Sequence, residues 1–350
     1  MKRVRLGVAM GDPCGIGPEI TARAFEALEG NQNCDLLAVG DASAMQRALS
    51  VVKSPLEINV LEDFQSPAVP GKLNLVNVPG RWDEIPAWGQ ISPEAGEVSI
   101  RAVELATRAA LDGHIDALVT GPINKEAFWA SGCEHLGHTE LLGALTGVSS
   151  QDTMFVVRQT HKPGHHLRVF FATRHVSLRK AIDQLTPALL EKSIDRSVVA
   201  LETLGIKNPR IALSALNPHG GENGAFGSEE IEVLKPAVAD AQARGIKIVG
   251  PIPADSIFHQ GLEGRFDGVI ALFHDQGHIA TKTYDFHGTI SMTVGLPILR
   301  TSVDHGTAFD IAGTGKADPG TLLSAIQAAL DYAHAVPNLK RQYSAEPVAS

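Results

Sequence analysis

Short apolar segments alternate with longer amphipathic ones along almost the whole chain, and this limits the fold more than any other feature. Strands fit Arg5–Met10, Asp35–Gly40, Leu73–Val78, Ala117–Thr120, Met154–Val157, Val169–Ala172, Ile211–Leu216, Ile246–Val249 and Val269–Phe273. Helices fit Pro18–Leu28, Ala42–Leu49, Pro187–Leu204 and Glu229–Ala243. A long helix opens at Ser92-Pro-Glu94, with Ser92 as its cap and proline in its first turn, and stops at Asp112-Gly113. Another starts within Gly121-Pro-Ile-Asn-Lys-Glu126, and Pro79–Gln90 reads as a loop. Parallel strands need crossover connections, and the helices supply them, so the pattern predicts mostly parallel sheets covered by helices on both faces. A chain of 350 residues has room for two such domains, with a boundary near Phe128. The dozen residues after Asn338 have a loose composition and are expected to be poorly ordered.

A net charge of -9 argues against nucleic acid held on a generally basic surface. The three cysteines, Cys14, Cys34 and Cys133, form no Cys-x-x-Cys pair, which favours a reducing cytoplasm. The opening Met1-Lys-Arg-Val-Arg-Leu6 lacks a signal peptide's apolar core, and no apolar run is long enough to span a membrane.

Three histidines stand where apolar strands run out. His175 follows Arg168–Thr173, His219 follows Ile211–Leu216, and His274 follows Val269–Phe273. Open α/β sheets place ligand chemistry at the carboxyl ends of their strands. Imidazole is the commonest protein ligand for divalent metals, so the three predict a metal site with a position open for substrate. A single histidine of this kind is more often a hydrogen-bonded core residue. The polar turns Asn217-Pro-His-Gly-Gly-Glu222 and His274-Asp-Gln-Gly-His278 shift the balance, because a core has no need of them. His161, His165 and His166, around Pro163-Gly164, read as a loop cluster of no special role.

Other motifs are weaker alone. Gly11-Asp-Pro-Cys-Gly-Ile-Gly-Pro-Glu19 is a glycine-rich strand–helix turn, yet it is not a G-x-G-x-x-G fingerprint. Gly137-His-Thr-Glu140 opens a helix whose start favours anions, with Thr139 as a cap and His138 turned to a ligand. Lys282 and Arg300 follow the His274 turn and suit a phosphate or carboxylate.

Taken together, these segments resemble the 4-hydroxythreonine-4-phosphate dehydrogenase family, part of the isocitrate/isopropylmalate dehydrogenase-like superfamily. Gly121-Pro-Ile-Asn-Lys125, Leu216-Asn-Pro-His219, Pro253-Ala-Asp255, His274-Asp-Gln-Gly277 and Arg300-Thr-Ser-Val-Asp-His-Gly-Thr307 carry the likeness along with the motifs above. Val303–Gly313 also resembles the cofactor loop of isopropylmalate dehydrogenases. The resemblance implies a two-domain α/β/α protein with its active site in the interdomain cleft. Residues 1–127 and about 285–350 would form the cofactor side. About 128–284 would carry metal, substrate and dimer contacts. It implies a homodimer whose site the neighbouring subunit completes. It implies a divalent metal (zinc, cobalt, magnesium or manganese) on His175, His219 and His274. His138, Thr139, Lys282, Ser291 and Arg300 would bind substrate, with Asp255 and Asp275 lining the site. NAD or NADP would lie against Gly11, Asp12, Asp304, His305, Gly306 and Asp310.

The implied reaction is oxidation of the hydroxyl of a small 4-phosphorylated hydroxy acid, followed by loss of carbon dioxide from the β-keto acid. Either Asp255 or Asp275 would relay the proton. Ser291 replaces an asparagine of the biosynthetic members, and His278 replaces an apolar residue. The His274-Asp-Gln-Gly-His278 form resembles relatives acting on D-threonate or D-erythronate 4-phosphate, or on a terephthalate dihydrodiol. The competing readings are a phosphate acyltransferase of the same superfamily and a non-catalytic binder of phosphorylated ligands.

Overall fold

A computed structural model of the chain describes residues 3–31, 33–158 and 166–344. In chain order the elements are β1 (Val4–Ala9), α1 (Gly17–Ala27), β2 (Cys34–Gly40), α2 (Ala42–Val52), β3 (Glu57–Leu61), β4 (Lys72–Asn77), α3 (Pro93–Asp112), β5 (Ala117–Thr120), α4 (Lys125–Ala130) and α5 (His138–Thr146). Then come β6 (Asp152–Arg158), β7 (His166–Phe171), α6 (Leu178–Asp183), α7 (Pro187–Thr203), β8 (Ile211–Ser214), α8 (Lys235–Ala243), β9 (Ile248–Ile252), α9 (Ala254–Leu262), β10 (Gly268–Ala271) and α10 (His274–Tyr284). The chain ends with β11 (Thr289–Val294), β12 (Arg300–Ser302), α11 (Gly320–Tyr332) and α12 (Val336–Tyr343).

The chain divides into two compact units, Met1–Asp152 with Thr293–Ser350, and Thr153–Met292. The first crossing lies after α5 rather than near Phe128, because α4 and α5 both pack on α3.

In the first unit the strand order is β3-β4-β2-β1-β5-β12, and every pairing is parallel. Helix α3 covers β1, β2 and β5, and α11 packs on β1, β5 and β12. β5 is buried at every residue, as an apolar strand covered on both faces must be. The ends of α3 follow its sequence. Ser92 Oγ accepts the Ala95 N–H at 3.2 Å, and Gly113 takes the left-handed conformation (φ 81°) that stops the helix.

In the second unit β7, β10, β8 and β9 run parallel in that order, and β6 pairs antiparallel with the outer side of β7. Phe155, Leu167, Val169, Phe171, Ile257, Phe258 and Val269 form its core. Each such side chain contributes about 1.5–3 kcal/mol on burial. Helices α7 and α9 pack on β7, β8 and β10.

Some local features differ from the sequence reading. His166 opens β7 and is buried, so it is no loop residue; His161 and His165 lie outside the described residues. The stretch after Asn338 is helical to Tyr343, anchored by buried Leu339 and by Lys340 Nζ donating to the Leu111 carbonyl at 2.8 Å. Residues 345–350 are not described. The helix expected over Glu229–Ala243 is present, its first part a π-turn, Glu230–Leu234, that runs straight into α8. Pro236 accounts for this, since it has no N–H to give the preceding turn and its ring crowds the carbonyl four residues back. Strands β3, β11 and β12 escaped the sequence reading. β11 (Thr-Ile-Ser-Met-Thr-Val) is half polar and β12 is three residues long. No helix among the described residues is long and apolar enough to cross a membrane.

Candidate active site

Strands β7, β10 and β8 lie side by side and parallel, so their carboxyl ends share one edge, and His175, His274 and His219 follow those ends in turn. His175 and His274 line a cleft of about 370 Å³ with Leu178, Ala181, Phe273 and Asp275. Their ring centres are 5.7 Å apart. His274 Nδ1 lies 2.7 Å from Asp275 Oδ1. A carboxylate on one ring nitrogen fixes the tautomer and presents the other, here Nε2, as the donor atom for a metal.

His278, one turn along α10, stacks on His274 with ring centres 3.6 Å apart and planes within 12°. Its Nδ1 donates to the His274 carbonyl at 2.8 Å, and Phe155 and Phe171 contact its ring at 4.2 and 5.0 Å. The His274 ring therefore has a wall behind it.

His219 stands exposed on the turn Pro218–Gly224, its ring 6.5 Å from that of Phe226. Among the described residues no three His, Cys, Asp or Glu groups converge closely enough to hold a metal. The donor chemistry nevertheless suits a divalent ion, since two imidazoles face one cleft and one has its orienting carboxylate. Three protein ligands are usual at a catalytic site, and these two would need a third. Gln276 braces two of the turns: its Oε1 accepts the Leu272 N–H at 2.7 Å and its Nε2 donates to the Ala215 carbonyl at 2.8 Å. Asp255 is exposed in the first turn of α9. Lys282 is half-buried in the last turn of α10, its Nζ 5.5 Å from the Phe286 ring centre, and Ser291 is buried in β11.

The first unit gathers a different chemistry around Arg300. Its guanidinium is buried and donates to Thr293 Oγ1 at 2.9 Å, Thr120 Oγ1 at 2.6 Å and His138 Nδ1 at 3.1 Å. Arginine only donates, so Nδ1 of His138 accepts and the proton of the neutral ring sits on Nε2. Burial, helped by the charge of Arg300, holds the His138 pKa well below its ordinary value, so the ring is neutral. Burial also pushes Arg300 down to about 9, which leaves it cationic at neutral pH. Among the described residues no carboxylate pairs with it. Arg300 Nε and His138 Nε2 are both buried without a partner. A buried cation and its neutral neighbour, each with one idle N–H, together suit an anion. Helix α5 adds to this, since it begins at His138 after Gly137 with no side chain capping its amino end. Thr139 thus lies inside the first turn and does not cap the helix.

The glycine-rich turn and the loop after β12 also meet in this unit. Gly11 (φ 79°) could carry no side chain, because a Cβ would stand 2.2 Å from the Pro122 carbonyl oxygen. Ile16 N–H donates to the Thr307 carbonyl at 3.0 Å. Glu19, fully buried, takes the N–H groups of Gly313 at 2.6 Å and Gly315 at 2.8 Å. Gly11 and Asp12 are buried beneath the loop, whereas Asp304, His305, Gly306 and Asp310 reach its surface. A cofactor against this region would meet the loop, and a Cβ at Gly306 would meet nothing within 4 Å, so a flat group has room there.

The Asp12 side chain makes one bond, Oδ1 accepting the Cys14 N–H at 2.7 Å, and its Oδ2 is buried without a partner. Burial pushes its pKa up to about 6, from 3.8. A folded-state pKa above the unfolded one gives stability that is full below the unfolded pKa and lost as pH rises through the folded one. The shift corresponds to on the order of 3 kcal/mol. Asp12→Asn is therefore expected to raise the melting temperature of the cofactor-free protein at pH 8 and change it little near pH 4. A variant that melts lower than the parent at pH 8 would show the carboxylate to be usefully engaged.

Thr120, Thr293, Glu19 and Gln276 were not singled out from sequence. Gln276 lies within His274-Asp-Gln-Gly277 and Glu19 ends Gly11–Glu19, so each has a local sequence signal. Thr120 and Thr293 end or follow apolar strands like many others, and only the fold brings them to Arg300.

The family model for the pyridoxal phosphate biosynthetic protein PdxA matches residues 32–329. A Cutibacterium acnes protein provisionally named D-threonate 4-phosphate dehydrogenase is 48% identical over 343 residues, covering 97% of this chain and 96% of its own length. The crystal structure of 4-hydroxythreonine-4-phosphate dehydrogenase from Klebsiella pneumoniae superposes with a TM-score of 0.84 at 38% identity, covering 95% of this chain and 98% of that one. A terephthalate 1,2-cis-dihydrodiol dehydrogenase from Burkholderia xenovorans LB400 is more distant, with a TM-score of 0.61 at 30% identity over 94% and 98% of the two chains.

Proposed function

The chain belongs to the PdxA family, and from that membership we propose that it is a metal- and NAD(P)-dependent dehydrogenase of a 4-phosphorylated hydroxy acid, with D-threonate or D-erythronate 4-phosphate as its substrate. The observation that carries the reading is the buried Arg300–His138 pair with its unclaimed donors. A dianionic phosphate would use both and supply the missing counter-charge. The choice of a sugar acid rests on the relatives given that name, 48% and 45% identical, against 38% for the 4-hydroxythreonine-4-phosphate enzyme.

When bound, a divalent ion supplies Lewis acidity at the substrate hydroxyl, and NAD(P)+ accepts the hydride. The protein's own residues do the rest. Arg300, His138 and the α5 amino end, where Thr139 lies, hold the phosphate. Asp275 keeps His274 in the tautomer that offers Nε2. Asp275 is also the better placed of the two aspartates to take a proton at its free oxygen, since Asp255 has no contact with the histidines. Oxidation at the carbon β to the carboxylate leaves a β-keto acid, which loses carbon dioxide to give a three-carbon ketose phosphate. Zinc, cobalt, magnesium or manganese would serve. Lys282 and Ser291 would contact substrate, and Asp304, His305, Gly306 and Asp310 would contact the nucleotide.

The third metal ligand is His219, and we assign completion of the set to a homodimer. In support, one chain closes no three-ligand set among its described residues, while Leu178, Phe226, Ile279 and Phe286 are all more than half exposed in the second unit. Free Cys14, Cys34 and Cys133 suit a reducing cytoplasm.

The test is NADH or NADPH formation by metal-loaded protein. D-threonate or D-erythronate 4-phosphate is expected to exceed 4-hydroxythreonine 4-phosphate about tenfold or more in kcat/KM, with little turnover of an unphosphorylated diol acid. Preference for the amino substrate would return the chain to vitamin B6 synthesis. No turnover of any phosphorylated acid would end the proposal.

A further inference from the structure

Glu230 is 1% exposed, and among the described residues no cation pairs with it. Its own N–H aside, the partners of its carboxylate lie in the segment that leads into the turn carrying His219. Oε1 accepts the N–H groups of Leu216 at 2.8 Å and Asn217 at 2.7 Å, and Oε2 accepts Asn217 Nδ2 at 2.8 Å. Glu229 Oε2 takes the same amide nitrogen at 2.7 Å. We propose that Glu230 is the positioning residue of the His219 turn, its carboxylate reaching back from the π-turn to fix where that imidazole stands, with Glu229 as a second hold through Asn217. The inference rests on the reading of His219 as a metal ligand.

Three observations carry it. First, the turn does not hold itself. His219 (φ 52°), Glu222 (φ 44°) and Asn223 (φ 54°) are non-glycine residues in the left-handed region, interleaved with Gly220, Gly221 and Gly224. Such backbone persists only where its surroundings impose it. Second, two glycines exist to let the carboxylates in. A Cβ on Gly221 would stand 2.7 Å from Glu230 Oε2, and one on Gly227 would stand 2.6 Å from Asn217 Nδ2. Third, Glu230 opens the π-turn, and π-turns recur at functional sites. Burial works against the charged form of Glu230, but the hydrogen bonds from Asn217 and Leu216 outweigh it and hold the pKa below the ordinary range. Glu230 thus offers the turn a full negative charge.

Cobalt(II) titration of the full-length protein, read by visible absorption and by competition with a chelator, tests the idea without substrate. Glu230→Gln keeps one acceptor for the two backbone N–H groups but sets an amide N–H2 against Asn217 Nδ2. Relief requires Asn217 to turn over and release Glu229. Cobalt affinity is expected to fall tenfold or more, with an altered absorption band and an unchanged far-ultraviolet circular dichroism spectrum. Glu229→Gln, at a partly exposed position, is expected to lose two- to fivefold, and it decides the matter if Glu230→Gln does not fold. A staple with no bearing on the histidine would lower the melting temperature and leave cobalt binding alone. Affinities in the folded variants equal to the parent, with His219→Ala impaired, would overturn this inference alone. A parent that binds no cobalt, or a His219→Ala variant that binds it normally, would overturn the ligand assignment and this inference together.

Discussion

Replacing Arg300 with methionine is expected to lower kcat/KM for the phosphorylated substrate about 10²–10³-fold while leaving the protein no less stable by more than about 1–2 kcal/mol. The two halves of that expectation have one cause. Arg300 is cationic, buried and without a carboxylate among the described residues, so the folded apo chain bears its desolvation uncompensated. Methionine fills similar volume with no charge. Its cost is the loss of three hydrogen bonds, and the hydroxyl acceptors Thr120 and Thr293 can turn elsewhere; Thr120 already donates to Ser302 Oγ at 2.9 Å. On the proposed function, the guanidinium would meet the phosphate in a low-dielectric site. Loss of such a pair typically costs about 2–5 kcal/mol, which brackets the 10²–10³-fold loss at about 1.4 kcal/mol per factor of ten. Steady-state kinetics and a thermal melt on the same preparations measure both halves. An Arg300→Met protein that melts far below the parent but keeps its kcat/KM would mean that the cation is there for the fold. Inhibition by inorganic phosphate should weaken in parallel, since the phosphate alone engages the site.

The parts of this molecule that were legible in the sequence are those whose pattern is local. β5, β8 and β10 are short, wholly buried and apolar, and α3 is bounded by Ser92 and Gly113, so their positions followed from composition and caps. β12 (Arg-Thr-Ser) is held by its neighbours rather than by its own preference, and no window along the chain announces it. The same division runs through the site. His175, His219 and His274 stand after apolar strands in the sequence, and the parallel order β7-β10-β8 puts those strand ends along one edge. Glu230, by contrast, lies in an acidic run that reads as a solvated helix face. It is buried only because Pro236 opens the turn before it and the Asn217 turn folds back over it. Tertiary partners of this sort leave no mark at any sequence spacing. The neutrality of His138 is likewise a property of its neighbour Arg300, which is distant in the chain.

Loss of the His219 imidazole should be the most damaging single change for turnover. In a three-ligand site no spare donor exists, and one missing imidazole is expected to cost more metal affinity than the 10–100-fold typical of an outer-shell partner. Turnover should fall about 10³-fold or more, because Lewis-acid stabilisation is worth several kcal/mol. The choice of substitution matters, since His219 has φ 52° and alanine tolerates that region poorly. His219→Asn is the cleaner variant, because asparagine enters the left-handed region more readily and leaves the Glu230 contacts untouched. His219 is exposed, so neither change opens a cavity, and the melting temperature of the metal-free protein should move little. The measurement is bound metal per chain after dialysis, beside NADH formation at saturating metal. His219→Asn should fail in both, with His219→Ala matching it and melting slightly lower. Should His219→Asn retain metal and turnover while Asp275→Asn loses them, the ion would be held by the His175–His274 cleft with Asp275, and the exposed turn would have to be assigned to something other than the metal.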